Sequence, residues 1–207
     1  VLFIRPMSNS DYVLGKTWGI LSLFFLLNLI VLFVTAILSV SSGNVTVTLL
    51  PYVWYFLVIT IPSLVFVLGL SFFIMSVLRN QAITFLLLLG YIALILFYLA
   101  EKEFFVFDFI TLKLPLVYSD IIGFSNIKYI LLQRFIYLFL GIGFISASIL
   151  LLKRLPQNSA TRLISFIVFV CFSLLGVTSG ALYLYKMHKN NVEHDAMALL
   201  SHEYFTI

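Results

Sequence analysis

The sequence predicts an all-α membrane protein, a polytopic helical bundle with five spanning helices and a short capped helix before them. Three observations predict it. The 207 residues are 63% hydrophobic and only 10% charged, with a mean hydropathy of +1.17, whereas an ordinary soluble domain is about half apolar and a quarter charged. The apolar residues fall in five runs, 17–40, 53–78, 82–100, 129–152 and 163–185, each near the ~20 residues that span a bilayer core at ~1.5 Å per residue. None of the runs contains Asp, Glu or Lys, and the only arginine is Arg134. Backbone amides in lipid must be bonded within their own segment, so the runs are helices.

The segment 1–16 comes first. From Arg5 to Lys16 it reads "RPMSNSDYVLGK". Pro6 suits a first helical turn, and Ser8-Asn9-Ser10-Asp11 reads as a capping box, Ser8 accepting from open amides and Asp11 reaching back. A small helix is expected to start near Asn9 and to be filled by Asp11, Tyr12, Val13 and Leu14, with Gly15 as a point where it can bend into the first span. Arg5 and Lys16 would hold its ends at the headgroups. Two readings fit this element: an interfacial anchor that sets the tilt of the helix behind it, the commoner arrangement, or a docking element for a cytoplasmic partner. Gly15-Lys16-Thr17 ends like a phosphate-binding loop, but Ser10 stands where that loop needs glycine and no strand precedes it, so the chain has no nucleotide site of that kind.

In the first span Asn28 reads as a helix-to-helix hydrogen bond. Asn44-Val45-Thr46 matches a glycosylation acceptor but reads as a turn. Pro62 with Ser63 is expected to kink the second span, which a tight "RNQ" turn joins to the third. The stretch 101–128 is too apolar for a solvated loop and too broken by Asp108, Lys113, Pro115, Asp120 and Gly123 to cross; an interfacial belt or a re-entrant segment would satisfy both facts. Gln133 and Arg134 lie near the start of the fourth span, where a long side chain is expected to snorkel to water. Gly141, Gly143, Ser146 and Ser148 lighten that span, and Gly176 with Gly180 makes a small-residue face on the fifth for close helix contact. The tail 186–207 reads as a solvated juxtamembrane stem. It holds His188, His194 and His202 beside Glu193, Asp195 and Glu203 without the tight spacing of a zinc site, so no metal is expected. Cys171 sits in an apolar run, where a thiol is inert packing.

The net charge of +4 is spread over the span ends, so it serves topology rather than nucleic-acid binding. With the N-terminus cytoplasmic, Arg5, Lys16, Arg79, Lys153, Arg154 and Arg162 lie inside against one acid, Asp11, and the other six cations lie outside among seven acids. The inner cations sit in short, acid-poor loops next to helix ends, where they count most, and this sets the orientation as N-terminus inside, C-terminus outside. No carboxylate or histidine lies within a run, which disfavours a proton- or ion-coupled pump. Nor do the runs supply a nucleophile and base that could work together. The start at Val1, with no signal pattern before the first run, reads as a piece of a longer chain.

The segment "RPMSNSDYVLGK" resembles the cytoplasmic coupling segment of ABC-type exporter permeases of the second type. "MSVLRNQAITFLLLLGYIALILFYL" is similar to the tight inner turn of such permeases and "LLLKRLP" to their inner basic turn. "LPLVYSDIIGF" followed by "LLQRFIYLFLGIGFI" resembles a bacterial subgroup fused to an extracytoplasmic zinc aminopeptidase. The likeness extends along nearly the whole chain through short motifs. It implies a multi-pass permease subunit of a bacterial inner membrane, paired with a second permease half, identical or related, and driven by a separate cytoplasmic ABC ATPase subunit. ATP would be bound by that partner, with no cofactor, catalytic site or nucleic acid on this chain. Carried over by position, Arg5, Pro6, Ser8, Gly15 and Lys16 would dock the ATPase, with Tyr12 as an apolar contact. The family has six spans per half, one more than is found here. The alternative from a different class is a membrane anchor for a larger enzyme such as a peptidase fusion.

Overall fold

A computed structural model of the chain describes residues 8–41, 49–99, 105–111, 118–119, 123–124, 127–152 and 159–205; the side chains of 49–51, 118–119, 123–124 and 193–205 lie outside the description. The architecture is all-α. Its helices are α1 (Asn9–Ser41), α2 (Leu49–Trp54), α3 (Ile61–Leu78), α4 (Gln81–Leu94), α5 (Ile127–Leu151) and α6 (Ser159–Phe205). A two-residue antiparallel ladder, β1 (Tyr118–Ser119) with β2 (Gly123–Phe124), pairs Tyr118 with Phe124 between α4 and α5. Among the described residues five helical stretches are long and apolar enough to cross a membrane: Asn9–Ser41, Tyr52–Leu78, Gln81–Leu99, Ile127–Leu151 and Ser159–Val192. Each contains one of the five predicted runs, apart from Ala100 and Leu152 at two margins; the first begins about two turns before its run and the fifth ends about two turns beyond it.

The main correction concerns the first helix. No break falls at Gly15, and the short N-terminal helix is the first turns of one continuous 33-residue helix. Glycine costs a helix interior only about 1 kcal/mol and keeps its backbone N–H, so alone it does not interrupt the hydrogen-bond ladder. The start, by contrast, falls where the capping box places it. The tail likewise extends the fifth span: α6 stays helical to Phe205, a helix of 47 residues.

The two α2–α3 segments are joined by a π-helical turn, Tyr55–Thr60, directly before the buried Pro62. Proline brings no N–H to the ladder, and the helix accommodates the gap by wider bonding in the preceding turn. The irregular turn falls just before the proline at which a kink was expected. A second π-helical turn, Ile95–Leu99, ends the third span, and no proline marks it. Between the second and third spans the turn is only two residues. Arg79 adopts the left-handed conformation (φ 53°) and closes α3, and the Asn80 side chain accepts from the backbone of Ala82 at 3.0 Å to open α4.

In lipid, helices gain nothing from hiding apolar surface from other apolar surface, so close packing and hydrogen bonds decide which of them associate. The tightest contacts fall on α3, α5 and α6, with α5 in the middle. A Cβ placed on Gly69 of α3 would lie 2.3 Å from the Gly141 carbonyl oxygen of α5. One on Gly141 would lie 2.7 Å from the backbone of Val65 and Phe66. On its other side α5 meets α6, where Gly143 approaches Ser173 and Gly176 lies under Leu140. Gly176 therefore makes the close contact expected of it, whereas Gly180 has Ile136 at ordinary distance. Around the α3–α5 crossing, Val65, Ile145 and Ile149 form a core with Val13 and Leu21 of α1. The outer faces of α1 and α4 are apolar and exposed, as at Trp18, Phe33, Phe85 and Leu86.

Gly141→Ala is expected to force α3 and α5 apart and to cost about 1–3 kcal/mol, the usual range for overpacking. Gly15→Ala, where a new Cβ meets nothing within 4 Å, is expected to leave stability unchanged or slightly raised. Unfolding of the two variants in detergent, followed by helical circular dichroism, checks the contrast.

Candidate functional site

The N-terminal end of α1 is built by the capping box. The Asp11 amide donates to Ser8 Oγ at 3.1 Å, while the Ser8 amide and hydroxyl donate to the Asp11 carboxylate at 3.4 and 2.6 Å. Asn9, in the first turn, reaches across: its Nδ2 donates to the Leu152 carbonyl at 2.7 Å. That carbonyl belongs to the open C-terminus of α5, whose last acceptors have no partner within the helix. One amide side chain thus ties the start of α1 to the end of α5.

Behind it, Asn9, Val13, Thr17 and Leu21 are buried at four-residue spacing, one face of the helix. Thr17 returns its hydroxyl to the Val13 carbonyl at 2.7 Å, which satisfies it on an apolar face. Tyr12 is half-buried against this cluster with the Lys16 ammonium 5.8 Å from its ring centre. Leu14, Gly15, Lys16 and Trp18 are exposed. Of the predicted coupling residues, Ser8 caps, Tyr12 is shared with the core, and Gly15 and Lys16 face outward; Arg5 and Pro6 lie outside the described residues. Asn28, expected to bond another helix, is half-buried on α1.

The opposite end of the bundle holds a constellation that sequence reasoning missed. Gln133 and Arg134 do not snorkel to water: they are 0% and 1% exposed. They point into the loop Phe105–Thr111 and bind its backbone. Arg134 donates from Nη1 to the Phe109 carbonyl at 2.8 Å and to Ser63 Oγ at 3.3 Å, and from Nη2 to the Asp108 carbonyl at 2.7 Å and to Gln133 Oε1 at 2.9 Å. Gln133 Nε2 donates to the Phe105 carbonyl, the Tyr137 hydroxyl to the Val106 carbonyl, and the Ser63 hydroxyl to the Phe109 carbonyl at 2.6 Å. Four of the loop's seven carbonyls are therefore taken by side chains of α3 and α5. Asp108, also 1% exposed, brings the opposite charge to the guanidinium, and the Tyr137 ring lies 5.3 Å from it. A charge removed from water needs such compensation, since an isolated buried ion is far more costly.

The loop is also held by an aromatic plug. Phe109 is 3% exposed and contacts the rings of Phe66, Tyr91 and Tyr137 at centroid separations of 5.8, 6.0 and 6.3 Å. Phe105 and Thr111, near the loop's two ends, have φ of 64° and 61°. Bulky and β-branched residues rarely adopt that conformation, and it persists where surrounding contacts enforce it. The available signals were a lone arginine and its glutamine neighbour within a span, facing a connecting stretch too apolar for water. What was missing was the location of their acceptors, which are backbone carbonyls far away in sequence.

No protein-family model, no curated protein and no solved structure matches the chain. The fold and these two ends define a multi-pass helical membrane protein. Among the described residues no group of His, Cys, Asp or Glu could hold a metal ion. His188 is exposed, and the side chains of His194, Asp195, His202 and Glu203 lie outside the description.

Arg134→Leu would take a charged donor from each of the buried carbonyls of Asp108 and Phe109 and from Gln133 Oε1, and would leave Asp108 without its compensating charge; a loss of about 3–5 kcal/mol is expected, as for other broken buried charge sites. Arg134→Lys is expected to recover less than half of it, because an ammonium cannot reproduce the planar fork that reaches two carbonyls. Hydrogen exchange at the amides of Asp108, Phe109 and Thr111, bonded within the loop at 3.1, 2.9 and 3.3 Å, reports the release directly.

Proposed function

We propose that this protein is the transmembrane permease subunit of an ATP-driven ABC exporter, placed in a bacterial inner membrane with its N-terminus in the cytoplasm. A separate cytoplasmic ATPase would engage the start of α1, and a second permease half, identical or related, would complete the translocation path. The observation that carries the reading is the mechanical continuity of α1. A capped end, tied to α5 through Asn9, runs without a break into a 33-residue helix, so a force applied at Ser8–Lys16 passes along a rigid rod. Beyond Leu21 that rod has no fully buried residue, which leaves its far half little hindered by the rest of the chain. The resemblance of "RPMSNSDYVLGK" to a coupling segment supplies the identity of the partner. Arg5, Pro6, Ser8, Tyr12, Gly15 and Lys16 form the proposed docking element, with the exposed Lys16 and Leu14 on its open face.

A second reading, a membrane anchor for a catalytic domain such as a peptidase, is favoured by one observation. α6 continues as a helix through Lys186–Phe205, past its apolar stretch, and a helical extension of that kind makes a stiff stem.

The two readings part on one experiment. Co-purification of a cytoplasmic ABC ATPase with the full chain is expected, and Arg5→Glu combined with Lys16→Glu is expected to reduce its recovery at least tenfold without altering the yield of folded chain. An ATPase recovered equally with both versions contradicts the docking assignment.

A further inference from the structure

Asn28 stands close to the middle of the apolar run 17–40, at a depth where lipid offers no hydrogen bond to a polar group. The hydroxyls on either side of it along α1 are satisfied within the helix: Ser22 donates to the Gly19 carbonyl at 2.9 Å and Thr35 to the Val31 carbonyl at 2.8 Å. Among the described residues the Asn28 amide has no hydrogen-bond partner. A hydroxyl can give its one proton to the turn behind it, but a carboxamide carries two N–H donors and a carbonyl acceptor, and leaving them unpaired in hydrocarbon is costly. We propose that Asn28 is the centre of a self-pairing face, on which a second copy of this chain lays its own α1 so that the two Asn28 amides hydrogen-bond each other.

Asn28 lies on the border between the two sides of α1. Toward one side Phe25 is half-buried and meets the Phe56 ring at 5.6 Å; toward the other, Phe24, Val31, Thr35 and Leu38 are exposed. Phe24, Asn28, Val31, Thr35 and Leu38 follow one another at alternating spacings of four and three, the repeat by which one helix seats its side chains into another, and a polar residue within such a seam fixes the register of the pair. Beyond Leu21 α1 has no fully buried residue, so the stripe is open along the far half of the helix. Geometry and chemistry both favour an identical partner. Copies inserted with one topology hold Asn28 at one depth, and a twofold axis along the membrane normal sets the same patch against itself. An amide is complementary to its twin, each donating one N–H and accepting one, so two Asn28 side chains satisfy one another with no third group. The inference makes the second half of the exporter reading an identical one, but it does not rest on that reading.

Sedimentation equilibrium of the full chain in a mild non-ionic detergent, with no ATPase present, is expected to show a reversible dimer. Asn28→Leu, folded by the criterion of helical circular dichroism, is expected to weaken it about tenfold, the scale of an interhelical amide bond in a membrane, and Asn28→Gln to weaken it less. A second measurement fixes the face: in a Cys171→Ser background Val31→Cys is expected to cross-link between copies in native membranes under mild oxidation, and Leu26→Cys, at a site as exposed as Val31 but on the opposite side of the helix, is not. Chains that stay monomeric at every protein-to-detergent ratio, a dimer undiminished in Asn28→Leu, or cross-linking as strong from Leu26→Cys as from Val31→Cys overturns the proposal. Monomeric chains would assign Asn28 to a different polypeptide and leave the ATPase recovery test untouched, so the two failures are distinguishable.

Discussion

Within the thickness of a bilayer, every backbone polar group and every charge must find its partner inside the protein, because lipid offers none. Most of this chain meets that constraint by being helical. Among the described residues the local departures from regular helix include a π-helical turn before Pro62, a second at Ile95–Leu99, and the loop Phe105–Thr111. The loop is the demanding case, since its carbonyls are turned inward. Arg134 answers it with a fork of donors that no other residue type supplies, and Gln133, Tyr137 and Ser63 complete the set. A guanidinium and a tangle of carbonyls, each prohibitive alone in an apolar surrounding, become mutually satisfying.

The two ends of the bundle are consequently unlike each other. At one, Arg134 and the Phe109 plug fasten a connecting loop to α3 and α5, the same helices that meet backbone to backbone at Gly69 and Gly141. At the other, a capping box and a single amide, Asn9 to Leu152, hold a long helix whose far half leans on little else. Rigid braced core and lightly held rod are the physical basis on which the proposed coupling of an external ATPase rests. Motion of α1 would break few contacts, while motion of the loop would break many.

Much of this was legible in the sequence, and the reasons differ by element. The spans were legible because the hydropathy of about twenty consecutive residues leaves little alternative, and the start at Asn9 was legible because Ser8 and Asp11 form a local, reciprocal cap. Pro62 marked a place of irregularity by lacking an N–H, and the form it takes is a π-helical turn. The separate short helix ending at Gly15 was misread because a glycine permits a break without requiring one. Gly69 was overlooked because a lone glycine between leucines gives no sign of the backbone it will touch, whereas Gly141 and Gly176 stood near other small residues. Arg134 was noticed and misplaced. Snorkelling and burial ask the same of an arginine's position near a span end, and only the fold shows whether its acceptors are water or the carbonyls of Asp108 and Phe109.

The account depends above all on these unlike ends lying on opposite sides of the membrane, the capped end within the cell. With Cys171 replaced by serine, single cysteines at Ser10 and at the exposed Ile110 can be challenged with a membrane-impermeant maleimide in intact cells. The account predicts labelling at position 110 in intact cells and at position 10 only after permeabilisation. Labelling of both from the same side, or of position 10 alone from outside, would contradict it.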